Sequence, residues 1–164
     1  MFAPTAEVGK LYPCTRPMSI LRKAYSVVGV LLLGEYLAQV FLIAAALFTI
    51  ERAGDNATSV YSAFKRADAF SSAHVLSGDV IVNLTTIVLI GLAVVSGFPR
   101  RTVFLTLLLW FLLFAEFALA SAGNALVAAV HGLNALVMIG LAGWLTASNW
   151  AFRWPRIPDP RGTS

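Results

Sequence analysis

Four long apolar runs constrain this chain more than any other feature. A bilayer core takes about 20 mostly apolar residues per helix. Residues 20–50, 70–95, 103–122 and 125–147 each meet that length. Hydrocarbon offers no water to satisfy backbone N–H and C=O groups, so runs of this kind fold as helices. Composition agrees: 59% of the 164 residues are hydrophobic and 12% are charged. Soluble domains carry about 25% charged residues, so a water-soluble globule is excluded. The wealth of apolar residues excludes a disordered chain. The expected fold is all-α, a four-helix transmembrane bundle. Residues 1–19 form a polar N-terminal segment, 20–148 the transmembrane domain, and 149–164 a Pro-rich tail. A polar start followed by a full-length span is not the pattern of a cleavable secretory signal.

The connections between runs set the topology. Spans two and three are joined by Ser96-Gly97-Phe98-Pro99-Arg100-Arg101-Thr102. Gly and Pro stop a helix there, and Thr102 is expected to cap the next. Only Gly123-Asn124 separates spans three and four, which forces an antiparallel hairpin. The stretch Glu51–Ala69 is longer and mixed in charge, with Val60–Asp68 expected as a short helix along the surface.

Basic residues give the sidedness. Lys10, Arg16, Arg22, Lys23, Arg100, Arg101, Arg153, Arg156 and Arg161 fall on one side, and Arg52, Lys65 and Arg66 on the other. Positive residues mark the cytoplasm, so both termini are expected there. Tyr25, Trp144, Trp150 and Trp154 fit an aromatic belt on that face. The net charge of +4 is thus explained by topology, and no nucleic-acid partner is implied. Nine of the twelve basic residues are Arg, which fits a GC-rich bacterial source and its inner membrane. The single Cys14 excludes an intrachain disulfide and a multi-cysteine metal site.

Ionisable residues inside a membrane are costly and mark function. This chain has Glu35, Asp79, Glu116, His74 and His131 there, beside Gln39, Asn83 and Asn134. The two histidines are the only ones in the chain. His74 lies near the outer start of span two, and His131 six residues into span four. Both spans run the same way, so both imidazoles belong to the outer half of the bilayer. Small residues stand beside them: Gly78 near His74, and Ala128, Gly132 and Ala135 near His131. Such surroundings leave room for a flat macrocycle, and two imidazoles from different helices suit the axial positions of haem b. Zinc is disfavoured, since it takes four ligands. Hydrogen-bonding glue between helices explains the histidines equally well, and a proton or ligand site is a third reading.

Helix phase and repetition add two expectations. Asp79 and Asn83 share a face of span two, about 140° and 180° from His74 at 100° per residue. If His74 faces the bundle centre, those two point outward, where a partner subunit would receive them. A span buried on both sides, or a water-filled groove at Asp79, would serve as well. Glu35 and Gln39 share a face of span one. The two hairpins also look alike. Ala38-Gln39-Val40-Phe41-Leu42 aligns with Ala115-Glu116-Phe117-Ala118-Leu119, and His74 with His131. Each pair has a Gln or Glu helix followed by a His helix, as a duplicated hairpin would leave.

With these residues the chain resembles an uncharacterised group of four-helix bacterial membrane proteins. Their pattern is a Leu-Arg-Lys-Ala-Tyr-like opening, a Gln in spans one and three, His-Gly-x-Asn-Gly in span two and Leu-His-Gly-Leu-Asn-Ala in span four. Here Leu21-Arg22-Lys23-Ala24-Tyr25, Gln39 and His131-Gly132-Leu133-Asn134-Ala135 match. His74-Val75-Leu76-Ser77-Gly78 keeps only the His and the last Gly, and Glu116 replaces the third-span Gln. More distantly the arrangement is similar to one half of haem A synthase, which has His on its second and fourth helices. That likeness implies haem b on His74 and His131. In that role Gly78, Gly132 and Asn134 would stand beside the group, and Arg66 or Lys65 would pair with its propionates at the outer surface.

The expected function is a small, non-catalytic membrane subunit, a bis-histidine haem b protein in an electron-transfer or energy-converting complex. Its partners would be the lipid bilayer and other membrane subunits. Two rivals stand beside it: a cofactor-free accessory subunit, and a small proton-coupled transporter using Glu35, Asp79 and Glu116. No span shows a broken-helix signal, which speaks against the transporter. HExxH, GxSxG and phosphate-loop motifs are absent from the sequence.

Overall fold

The computed structural model describes residues 16–53 and 57–152. The segment 1–15 and the tail 153–164, with Lys10, Cys14, Arg153, Trp154, Arg156 and Arg161, lie outside the described residues. The described elements are α1 (Arg16–Glu51), α2 (Ala57–Leu76), a π-helical turn (Ser77–Val82), α3 (Asn83–Val95), α4 (Arg100–Ala120) and α5 (Ala125–Ser148). No strand occurs among the described residues. The run from α2 through the π turn to α3 is one continuous rod. The chain therefore forms four helical spans, each long and apolar enough to cross a membrane.

The second span is longer than its sequence suggests. Val60–Asp68 is not a separate surface helix but part of α2. No Gly or Pro interrupts the chain between Ala57 and Ser77, so nothing ends the helix. Ala63 and Ala67 of α2, one turn apart, are buried, as is Ala46 of α1. Small residues let two helix backbones approach closely, and α1 packs along α2.

Both tight turns follow from their residues. Gly97 takes φ 61° after α3, a conformation that costs glycine nothing. Pro99 then serves as the N-cap of α4, so Thr102 is not the cap. Thr102 is buried in the first turn and bonds Asn149 Oδ1 at 3.4 Å. At the second turn the Asn124 side chain accepts from the N–H groups of Leu126 (2.9 Å) and Val127 (3.3 Å), capping α5.

The spans form a ring. α1 packs on α2 and α3, α3 on α4, α4 on α5, and α5 closes back on α1. Spans two and four are thus diagonal, as are one and three. All four are level at one end. There Ser26 Oγ donates to the Asn149 carbonyl (3.3 Å) and accepts from Ala151 N (3.0 Å). Tyr25 is fully buried and bonds Thr106 at 2.9 Å. It belongs to the core and not to an aromatic belt, because its ring also packs on Phe98, with centroids 4.8 Å apart. Trp144 and Trp150 are exposed as expected of belt residues, and Arg101 stacks over Trp144 at 5.5 Å. Gly29 marks the closest approach of α1 to α5: a Cβ there would lie 2.6 Å from Thr146 Oγ1.

The opposite end is uneven. From the level end, the 38 residues Thr58–Val95 rise about 57 Å, whereas the 21 of α4 rise about 32 Å. The first hairpin therefore overtops the second by about 25 Å along its second span. His74 of α2 and His131 of α5 lie toward this uneven end.

Candidate functional site

A cavity of about 720 Å³ opens between the spans at the uneven end. His74, His131, Gln39 and Glu116 line it, with Tyr36, Asp79 and Ser121 and otherwise mostly apolar residues. Its size falls in the range of small-molecule sites, and so does its character of apolar walls with a few convergent polar groups. Gly78 and Gly132 are both in the lining, and a Cβ on Gly132 would meet nothing within 4 Å.

The two histidines come together across the ring. Their ring centroids are 6.4 Å apart and the planes meet at 85°. His131 Nδ1 faces Glu116 Oε1 at 3.2 Å and the Glu116 backbone carbonyl at 3.4 Å. Asn134 holds that carboxyl from the other side: its Nδ2 donates to Glu116 Oε2 and to the Leu112 carbonyl (2.9 Å). Asn134 is thus turned to α4 and does not line the cavity.

His74 Nδ1 meets the amide of Gln39. With its nitrogen toward the histidine, Gln39 donates to His74 Nδ1 (2.6 Å) and to the His74 carbonyl (3.0 Å). Its oxygen then accepts from Ser77 Oγ (2.9 Å) and Gly78 N (3.3 Å). In a regular α-helix the carbonyl of residue 74 and the N–H of residue 78 would bond each other. Gln39 reaches both, just where the rod changes from α to π. A side chain inserted into the ladder is a known cause of such a break, and π turns concentrate at functional sites. Each hairpin thus joins its Gln or Glu to its own histidine. The correspondence is not complete, since the π turn occurs in the first hairpin.

The π turn also changes the phase of the helix beyond it. It adds one residue to a turn, about 100° of rotation. Asn83, expected to point away from the bundle, instead accepts from Trp110 Nε1 of α4 at 3.1 Å. Its Oδ1 is thus taken within the chain. Asp79 is exposed and stands at the cavity. Glu35 faces span two, where Thr85 Oγ1 donates to its Oε1 at 2.9 Å. Arg66 does not line the cavity; its Nη1 reaches Ser62 Oγ at 3.3 Å, two turns before His74.

Several participants carry no signal as single residues in the sequence. Ser77 joins the site through Gln39 of α1, and Tyr36 of α1 lines the cavity. Outside the site, Trp110 is the more legible residue, because an indole N–H inside a bundle needs an acceptor. Among the described residues no group of three or more His, Cys, Asp or Glu side chains gathers as a metal site. The histidines therefore stand as a pair.

No protein-family model, curated protein or solved structure matches this chain. His74 and His131 are the side chains that would hold a metal-bearing group between the spans, and iron there would supply one-electron chemistry. Each Nδ1 is engaged by a neighbouring side chain, and no hydrogen bond among the described residues takes either Nε2. Ligating histidines commonly have the other ring nitrogen held in this way.

Proposed function

We propose that this chain is a small integral membrane subunit holding haem b between His74 and His131, as an electron carrier and not a catalyst. The observation that carries the reading is the pair of imidazoles, 6.4 Å apart across an apolar cavity. Haem supplies one-electron redox chemistry when bound. The chain's own residues do the rest. Glu116, braced by Asn134, orients the His131 ring. Gln39 holds the His74 ring and the backbone below it. Gly78 and Gly132 keep side chains out of the space beside the rings. Val82, Leu113 and Met138 are buried below and keep water from the inner half.

Arg22, Lys23, Arg100 and Arg101 gather at the level end, which supports a cytoplasmic side there. On this proposal the histidines belong to the outer half of a bacterial inner membrane. An absorption spectrum of the purified protein tests the cofactor. A Soret band, with haem b on pyridine extraction, is expected. Protein without either sinks the cytochrome reading.

A second reading is a cofactor-free accessory subunit, in which His131 and Glu116, 3.2 Å apart, simply join helix to helix. Co-purification with a larger membrane complex, unaffected by His131→Ala, would support it over the first.

A further inference from the structure

We propose that Gln39 makes His74 a conditional ligand and leaves His131 as the fixed one. The proposal deepens the haem reading and rests on it. The two rings look equivalent in sequence, but their Nδ1 partners differ in kind. His131 Nδ1 faces a backbone carbonyl and a carboxyl oxygen. The carbonyl only accepts, and so does Glu116 Oε1 in the ionised carboxylate, whose Oε2 accepts from Asn134. Against an ionised Glu116 the imidazole proton sits on Nδ1. His131 Nε2 is left with a lone pair, ready to bind a metal.

At His74 the partner is an amide, which can donate or accept. With its nitrogen toward Nδ1, Gln39 makes four hydrogen bonds, two of them to the backbone groups of His74 and Gly78. Nδ1 then accepts, and the imidazole proton sits on Nε2. That nitrogen has no lone pair for a metal. Ligation requires the amide to turn so that its oxygen accepts from Nδ1–H. The turn keeps the contacts to Nδ1 and Ser77 Oγ. It sets oxygen against the His74 carbonyl and nitrogen against Gly78 N–H, so two hydrogen bonds become repulsions. The backbone around the π turn thus opposes ligation by His74, and nothing comparable opposes ligation by His131. Haem binds to His131 first, and His74 joins only when Gln39 turns.

Nitrogen-15 NMR of the full-length, haem-free protein with labelled histidine reads the tautomers directly. The expected result is a proton on Nδ1 of His131 and on Nε2 of His74. In Gln39→Glu the His74 proton moves to Nδ1, because a carboxylate only accepts. The same tautomer on both histidines in the wild type overturns the proposal. Haemin titration supplies the second readout. His131→Ala should weaken binding at least tenfold more than His74→Ala, and His74→Ala should hold five-coordinate, high-spin haem. Gln39→Glu should raise the six-coordinate, low-spin fraction above that of the wild type. Equal loss in the two alanine variants overturns the ligation order while leaving haem binding intact. A wild type that takes up no haem removes the haem reading and the ligation order together.

Discussion

The two ends of this bundle solve the same problem in opposite ways. Both must satisfy polar side chains inside an apolar ring of helices. At the level end Tyr25, Ser26, Thr102, Thr106 and Asn149 bond each other and nearby carbonyls, and the helices close on them. Ser26, Thr106 and Tyr25 are all 0% exposed. At the histidine end Gln39, Glu116 and Asn134 are as well bonded, yet the helices stand apart around a cavity. The difference lies in what the hydrogen bonds do. Those at the level end tie helix to helix without space between. Those at the far end hold two imidazoles by one nitrogen each and leave the other free. A sealed end lends rigidity, and an open end can then keep its cavity without collapse.

The same substitution at two glycines tests this contrast most sharply. Gly29→Ala should destabilise the protein by about 1–3 kcal/mol through overpacking, since its Cβ would meet Thr146 Oγ1. Unfolding in detergent micelles measures it, and Thr146→Ala should restore most of the loss. If Gly29→Ala is harmless, the level end is looser than its close helix contact implies. Trp110→Phe comes next. It strips Asn83 of its donor, at a cost of about 1–2 kcal/mol. An unchanged midpoint would mean that Asn83 has found another partner, such as a neighbouring subunit. Tyr25→Phe should cost about 0.6 kcal/mol, the usual size of a hydrogen bond between membrane helices. Thr106 keeps its bond to the Thr102 carbonyl, which limits the loss. Gly132→Ala should be neutral or stabilising by up to about 1 kcal/mol, as alanine favours helix and meets open space here. Its larger relative Gly132→Leu should leave folding intact and, on the proposed function, prevent haem uptake. A folding defect in Gly132→Ala would show that the cavity is not open beside His131.

Much of the architecture is legible in the sequence because hydropathy reports solvent directly. The four spans, the Gly123-Asn124 hairpin and the reversal near Gly97 follow from runs and turn residues that act locally. The pairing of Gln39 with His74 and of Glu116 with His131 is foreshadowed by the repeated order of a Gln or Glu helix and a His helix. The features that differ share one cause, the reach of tertiary context beyond a local pattern. Val60–Asp68 carries charge, and charge suggests a separate surface piece; in the structure the helix simply continues past the shorter spans. Thr102 resembles a cap by type, yet Pro99 already fills that position. Counting 100° per residue sends Asn83 outward, and one π turn invalidates the count.

The sequence by itself determined that this chain is helical, how many times it can cross a membrane and which residues are costly to bury there. Those follow from transfer of side chains and backbone into hydrocarbon, a property of each segment alone. Only the tertiary structure decided which nitrogen of each histidine is held and which is free. That depends on where Gln39 and Glu116 arrive from other helices, and on a π turn that Gln39 itself bridges. Hydrogen-bond direction is a property of pairs, and no single segment contains both members.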